Sequence, residues 1–369
     1  MRELRTELVE APMRRVPWLP TLLLACATTP TSPLDPVTWP PPPDLGRIRF
    51  ERAIFDASSL RTPGLLERLF SGLLGRKPRI RFGQPMGLAI SDDGKRLYVA
   101  DHSIGHVVLV DLEQGEVSMF APDEPMGLVF NVVLDEQENV YVSDSRGTVR
   151  VFTREGELAR EIKADFVRPT GLALDRRLGR LYVSDSARQA SDKHRVFCFT
   201  LDGQLLHHLG PRDGPPAKGE EDGQLLFPTY LAVDPATSEV FVGDVMNFRV
   251  QVFDSAGKFV RKYGQSGDGL GAFQRLKGLA FDGFGNLYAV DGLHAGVQVF
   301  NRSFDLLTYF GGFSKKIEFF DIPSAIAIHP GTNTIYITNE YNARVNVYQL
   351  INTRSEDSDP ATQTSSIAG

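Results

Sequence analysis

Cysteine is nearly missing from this chain of 369 residues: Cys26 and Cys198 are the two present. They lie far apart and in different contexts, so neither a disulfide framework nor a thiolate zinc site is supported. No stretch of 18 apolar residues occurs, which leaves out an ordinary membrane-spanning helix. Positive charge is not in excess. A net charge of -6 offers nucleic-acid phosphates no general cationic face, and nucleic acid is not an expected partner. Tryptophan occurs only at Trp18 and Trp39. The chain also lacks a Gly-x-Ser-x-Gly elbow, a phosphate-binding Gly-x4-Gly-Lys loop, a His-Glu-x-x-His helix and a Cys-x-x-Cys-His haem site. In contrast, glycine (34) and proline (24) are abundant, as in folds built on many tight turns.

The N-terminus reads as an address. Arg14 and Arg15 precede a short apolar run ending in Leu23-Leu24-Ala25-Cys26. This resembles a bacterial lipoprotein signal, with a basic start, an apolar core and a small residue before the cysteine. The resemblance implies lipidation of Cys26 and stable membrane anchoring through several acyl chains. Glu3, Glu7 and Glu10 do not suit a basic leader, so Met13 reads as the true start. The residue after the cysteine is Ala27 rather than aspartate, and the outer membrane is the expected address. Residues 27–46 are rich in proline, with Trp39 followed by four prolines, and read as an extended spacer.

Self-similarity dominates the rest. The segments Pro85-Met-Gly-Leu-Ala-Ile, Pro125-Met-Gly-Leu-Val-Phe, Pro169-Thr-Gly-Leu-Ala-Leu, Pro228-Thr-Tyr-Leu-Ala-Val, Leu276-Lys-Gly-Leu-Ala-Phe and Pro323-Ser-Ala-Ile-Ala-Ile start 40, 44, 59, 48 and 47 residues apart. A second block follows each, as in Leu97-Tyr-Val-Ala-Asp101 and Leu181-Tyr-Val-Ser-Asp185. A third follows that, as in Val250-Gln-Val-Phe and Val297-Gln-Val-Phe, and a looser fourth, as in Lys258-Phe-Val-Arg-Lys-Tyr. All are short, β-branched and aromatic, and glycine turns separate them. Four strands in each of six units predict an all-β, six-bladed β-propeller over residues 47–352. The pattern resembles NHL repeats from about residue 47 to 350.

The sixth unit lacks a fourth strand, and Arg47–Phe55 is placed to supply it and close the ring. Residues 60–75, with leucine at 60, 65, 66, 69, 73 and 74, read as a short amphipathic helix capping the disc. Residues 353–369 are polar and read as a disordered tail.

Chemistry belongs on the face that carries the long loops between blades and after the recurring aspartates. Asp101, Asp144, Asp185, Asp244 and Asp291 recur at one offset, which favours a structural role at strand ends over a ring of cation ligands. Arg195, Arg249 and Arg344 are expected to pair with such carboxylates. Tyr230, Phe248, His294, Phe319, Phe320 and Tyr341 are the candidate binding residues, with Phe313 beside them. Some NHL-like lyases hold a catalytic zinc with three histidines, which points here to His102, His194 and His294. A related class of lactone hydrolases holds calcium, which points to Asp144, Asn339 and Glu340. His102, His294 and Glu340 are therefore the candidate metal ligands, for calcium or zinc. The offsets of the three histidines from the repeat do not match one another and the calcium set matches its class poorly, so no cofactor is expected. Cys198, between Phe197 and Phe199, reads as an inert core thiol.

The expectation is a non-enzymatic, lipid-anchored extracytoplasmic scaffold that binds a protein partner of the cell envelope on its long-loop face. The alternative is a metal-dependent hydrolase or lyase with its site at the central axis. A sensor of peptide or carbohydrate is a third reading, and the absence of tryptophan from the repeats weakens its sugar version.

Overall fold

A computed structural model describes residues 36–60, 79–186 and 193–351. Within them six antiparallel sheets form, one for each repeat. Blade 1 runs Pro85–Ile90, Arg96–Asp101, His106–Asp111 and Glu116–Met119, and blade 2 runs Val129–Leu134, Val140–Asp144, Thr148–Phe152 and Leu158–Ile162. Blade 3 runs Pro169–Asp175, Arg180–Ser186, His194–Thr200 and Leu205–His208. Blade 4 runs Pro228–Val233, Val240–Asp244, Arg249–Phe253 and Phe259–Tyr263. Blade 5 runs Leu276–Phe281, Leu287–Asp291, Gly296–Phe300 and Leu306–Gly311. Blade 6 has Pro323–His329, Thr334–Asn339 and Arg344–Leu350, and Ile48–Ile54 completes it as the outer strand. The expected six-bladed propeller is therefore present. Its ring is closed as predicted, by pairs running from Ile48 with Leu350 to Ile54 with Val345.

The six hydrophobic cores lie between blades rather than within them. A four-stranded sheet has two faces to bury, and stacking the blades radially buries both. The aromatic of the second strand is the recurring wedge. Tyr98, Tyr141, Tyr182, Phe241, Tyr288 and Tyr336 are all buried. Each belongs to the core shared with the following blade, the last returning to blade 1. The first strands pack neighbour to neighbour around the axis. The repeat's glycine permits that approach: a Cβ at Gly171 would sit 1.7 Å from Thr229 O, and one at Gly278 2.7 Å from Ser324 O.

Two sequence expectations shift. The second repeat does not begin at Pro125. Pro125–Leu128 precedes the strand Val129–Leu134, so Asn131 takes the place that Gly87 and Gly171 hold elsewhere. The spacer read over 27–46 also ends early. Thr38–Trp39 pairs with Arg49 and Ile48 as a fifth strand of the last sheet. The Trp39 ring is buried against Phe310, Phe319 and Tyr348 at centroid distances of 6.2, 5.8 and 5.8 Å. Prolines are tolerated there because this strand is the sheet edge, where no ladder donor is needed. Most of the predicted leucine-rich helix, the tail 353–369 and Cys26 lie outside the described residues.

Candidate functional site

Strand alternation gives the propeller two unlike faces. Short turns join first to second and third to fourth strands on one, here the turn face. Loops between blades and between second and third strands lie on the other, the loop face.

The recurring aspartates knit the loop face together. The Asp101 carboxylate accepts N–H groups of Gly83 and Gln84 from the preceding inter-blade loop, and of Ile104 from its own turn. Asp291 does the same with Gln274, Arg275, Leu293 and His294. Asp185 takes Val167 and Arg168, and Asp244 takes Leu226 and the Asn247 amide. Burial raises the Asp185 and Asp244 carboxyls above the ordinary value, and these donors pull them back. The arginine pairing holds for Arg249, 2.9 Å from Asp244, and loosely for Arg195, 3.8 Å from Asp185. It fails for Arg344. Blade 6 carries Asn339 in place of the aspartate, and Arg344 donates instead to Asn346 and Phe319 O.

At the axis the repeat breaks. Blade 4 carries Tyr230 where glycine stands in blades 1, 3 and 5. Its hydroxyl crosses to Met86 O of blade 1 at 3.3 Å and meets Ser324 Oγ of blade 6 at 2.7 Å. Beside it the Lys277 ammonium of blade 5 is hydrogen-bonded to the Glu340 carboxylate of blade 6, both buried, and lies 3.5 Å from Ser324 Oγ. Burial lowers the Lys277 amine from its ordinary value and Glu340 opposes the shift. On the turn-face side of Tyr230 the axis widens into a funnel of about 630 Å³.

The structure does not bring the candidate metal ligands together. Among the described residues no group of three or more His, Cys, Asp or Glu side chains is arranged to hold a metal. His102 Nδ1 lies 3.1 Å from Val129 O, and the ring packs on Phe130. His194 Nδ1 accepts the Phe227 N–H. His294 Nδ1 is 3.2 Å from Asp291 Oδ2. For calcium, Glu340 is taken up by Lys277, Asn339 Oδ1 accepts the Asp321 N–H and Asp144 accepts the Arg146 N–H. Burial pushes the Cys198 thiol up to about 11, as suits an unreactive core residue.

The candidate binding residues separate. Phe320 is fully buried between blades 5 and 6, and Phe319 packs on Trp39. Phe248 closes a turn with φ of 54°. Tyr230 plugs the axis. Tyr341 alone stands well out, 71% exposed. It has company: Phe313, named beside it from the sequence, and others that residue type alone did not reveal. Met246, Leu270, Leu293, Phe313 and Ile317 are also exposed, Phe313 at 76% and Leu270 at 66%. All six belong to consecutive loops of blades 4, 5 and 6 on the loop face. With Leu128 and Val167, that face carries eight exposed large apolar side chains among the described residues, against Leu45, Leu178 and Phe284 in the turns of the opposite face. Apolar identity combined with loop position is the feature that finds them.

The NHL repeat family model matches residues 166–199. Comparison with curated proteins found no match. Among solved structures, a protein of unknown function from Bacteroides thetaiotaomicron is 16% identical over 73% of this chain and 70% of its own, with a TM-score of 0.57. A streptogramin B lyase is 15% identical over 73% and 84%, with a TM-score of 0.50. A catalytically inactive virginiamycin B lyase from Staphylococcus aureus, with quinupristin, is 13% identical over 73% and 95%, with a TM-score of 0.52. At such identities the likeness is one of fold. The chain is a six-bladed β-propeller with an NHL repeat in its third blade.

Proposed function

We propose that this chain is a non-enzymatic scaffold that docks a protein partner on the loop face of blades 4 to 6. The observation that carries this reading is the arc of Met246, Leu270, Leu293, Phe313, Ile317 and Tyr341, exposed together on consecutive loops. Exposed apolar side chains that cluster are characteristic of protein interfaces, where aromatic anchors supply most of the binding energy. Lys315 and Lys316 lie between Phe313 and Ile317 in sequence, so the arc carries polar groups beside its apolar ones, as interfaces do. The lipobox ending at Cys26 supports an extracytoplasmic, lipid-anchored address, and the partner is then a cell-envelope protein.

The test places a photo-cross-linking residue at 313 or 341, and for comparison at 178 on the turn face, in the full-length protein in its own cells. A discrete adduct from 313 and 341 but not from 178 is expected. Equal labelling from all three, or none, would sink the reading. Cys26→Ser is expected to move the protein from the membrane pellet to the soluble fraction.

The alternative of an axial enzyme keeps one observation in its favour, the cluster of buried Lys277, Glu340 and Ser324 with the half-buried Tyr230. Perturbed titratable groups of this kind do gather at active sites. Elemental mass spectrometry of the purified protein separates the two, since near-stoichiometric zinc or calcium would favour the enzyme.

A further inference from the structure

Strands at the centre of a propeller are covered on both sides by neighbours, so side chains there reach solvent through the axis or through the turn-face ends of the clefts between blades. Ile90, Leu174, Val233, Phe281 and Ala327, all near the turn-face ends of first strands, are only partly buried, and all line the funnel. Tyr230 forms its floor. The result is an open funnel of about 630 Å³, blocked at one end and with a wall more apolar than polar, within the range of small-molecule sites.

Four charged residues line the mouth: Asp92, Arg176, Asp282 and Arg302. Three are engaged. Arg176 Nη1 donates to both oxygens of Asp92, at 2.8 and 2.7 Å, and its Nη2 to Leu134 O. The Asp282 carboxylate is turned into its own hairpin by Phe284 and Asn286 N–H groups and the Tyr288 hydroxyl. Arg302 differs. Its side chain is 53% exposed, and its ion pair with Asp234 Oδ1 is long, at 3.6 Å, while that oxygen also accepts the Ala236 N–H. The guanidinium sits where a Cβ on Gly285 would come within 2.4 Å of it, so the glycine provides its seat at the rim. The least tightly held charge at the mouth of the funnel is thus a cation with fork geometry, which matches a carboxylate.

We infer that the turn-face funnel binds a single-chain amphiphile with a carboxylate head, its alkyl chain against the first strands and its head on Arg302. This site is separate from the loop-face arc, on the opposite side of the Tyr230 plug. Calorimetry with the full-length protein tests it, using dodecanoate below its micelle concentration and dodecyltrimethylammonium as the opposite-charge probe. Saturable dodecanoate binding is expected, weakened at least tenfold by Arg302→Gln and abolished by Ala327→Trp, which fills the funnel. The ammonium probe is expected not to bind. Arg302 is exposed, so Arg302→Gln keeps the test decisive even where Ala327→Trp disturbs folding. No saturable dodecanoate binding, binding unchanged in Arg302→Gln, or equal binding of the cationic probe would overturn the inference.

Discussion

Removing the Glu340 carboxylate leaves the Lys277 ammonium buried with no counter-charge, and that stranded charge is what makes the pair informative. Glu340→Ala is expected to lower unfolding free energy by about 3–5 kcal/mol, because an uncompensated buried ion costs far more than a surface one. Replacing both partners, as Lys277→Met with Glu340→Leu, is expected to recover most of the loss, since the pair's desolvation penalty disappears with it. Urea melts of the three variants check this. A purely catalytic pair would lose little stability in either form. Trp39 supplies a second residue-scale case. Its ring meets three aromatics of the last two blades, and Trp39→Ala is expected to cost about 3–5 kcal/mol, the usual range for a core aromatic. A residue in a free spacer would cost nothing. These two sites also mark where the sequence was least readable. Lys277 and Glu340 lie 63 residues apart, and only the aim of two side chains from adjacent blades joins them. Trp39 is hidden among prolines, whose composition speaks for a linker and says nothing of a sheet edge.

Blades were far more legible than sites. The second strand announces itself through an aromatic three residues ahead of its aspartate. Each has one job: the aromatic fills the gap to the next blade in all six blades, and the aspartate ties down loops, with Asn339 standing in for it in blade 6. The slip at the second repeat came from a chance match of Pro125-Met-Gly-Leu to Pro85-Met-Gly-Leu. Spacing exposes it. Twelve residues separate Pro85 from Leu97 and Pro169 from Leu181, against fifteen from Pro125 to Val140. Blade 3 carries a prediction of its own. His207 and His208 pair with the third strand in the outer strand of that blade. Burial holds both imidazoles below the ordinary value of 6.5, helped by Arg180 for His207 and Arg195 for His208. The unfolded chain therefore binds more protons than the native one between the lowered values and 6.5. Stability falls as pH drops through that window and levels off below it. The urea midpoint is expected to fall between pH 7.5 and pH 5 by more in the wild type than in a His207→Gln, His208→Gln variant. Identical pH dependence in the two proteins would show that these imidazoles do not contribute.

The whole molecule divides its labour between faces, and the division has a thermodynamic signature. Side chains inside the six inter-blade cores stabilise the ring by leaving water, roughly 25 cal/mol for each Å² of apolar surface buried. Phe313 and Tyr341 have left most of theirs in water, at 76% and 71% exposure, so the free protein gains little from them. Phe313→Ser and Tyr341→Ser are accordingly expected to shift unfolding free energy by no more than about 0.5 kcal/mol each. In the docking reading the same changes remove two aromatic anchors, each capable of costing about 2 kcal/mol or more in affinity. The two quantities move together for a core residue and separate for an interface residue. Measuring the melt and the cross-linked adduct on one preparation decides between them. Unchanged melting with a lost adduct is the outcome the loop-face arc requires. A large drop in stability would instead make Phe313 and Tyr341 part of the fold, and the docking surface would have to be sought elsewhere on the ring.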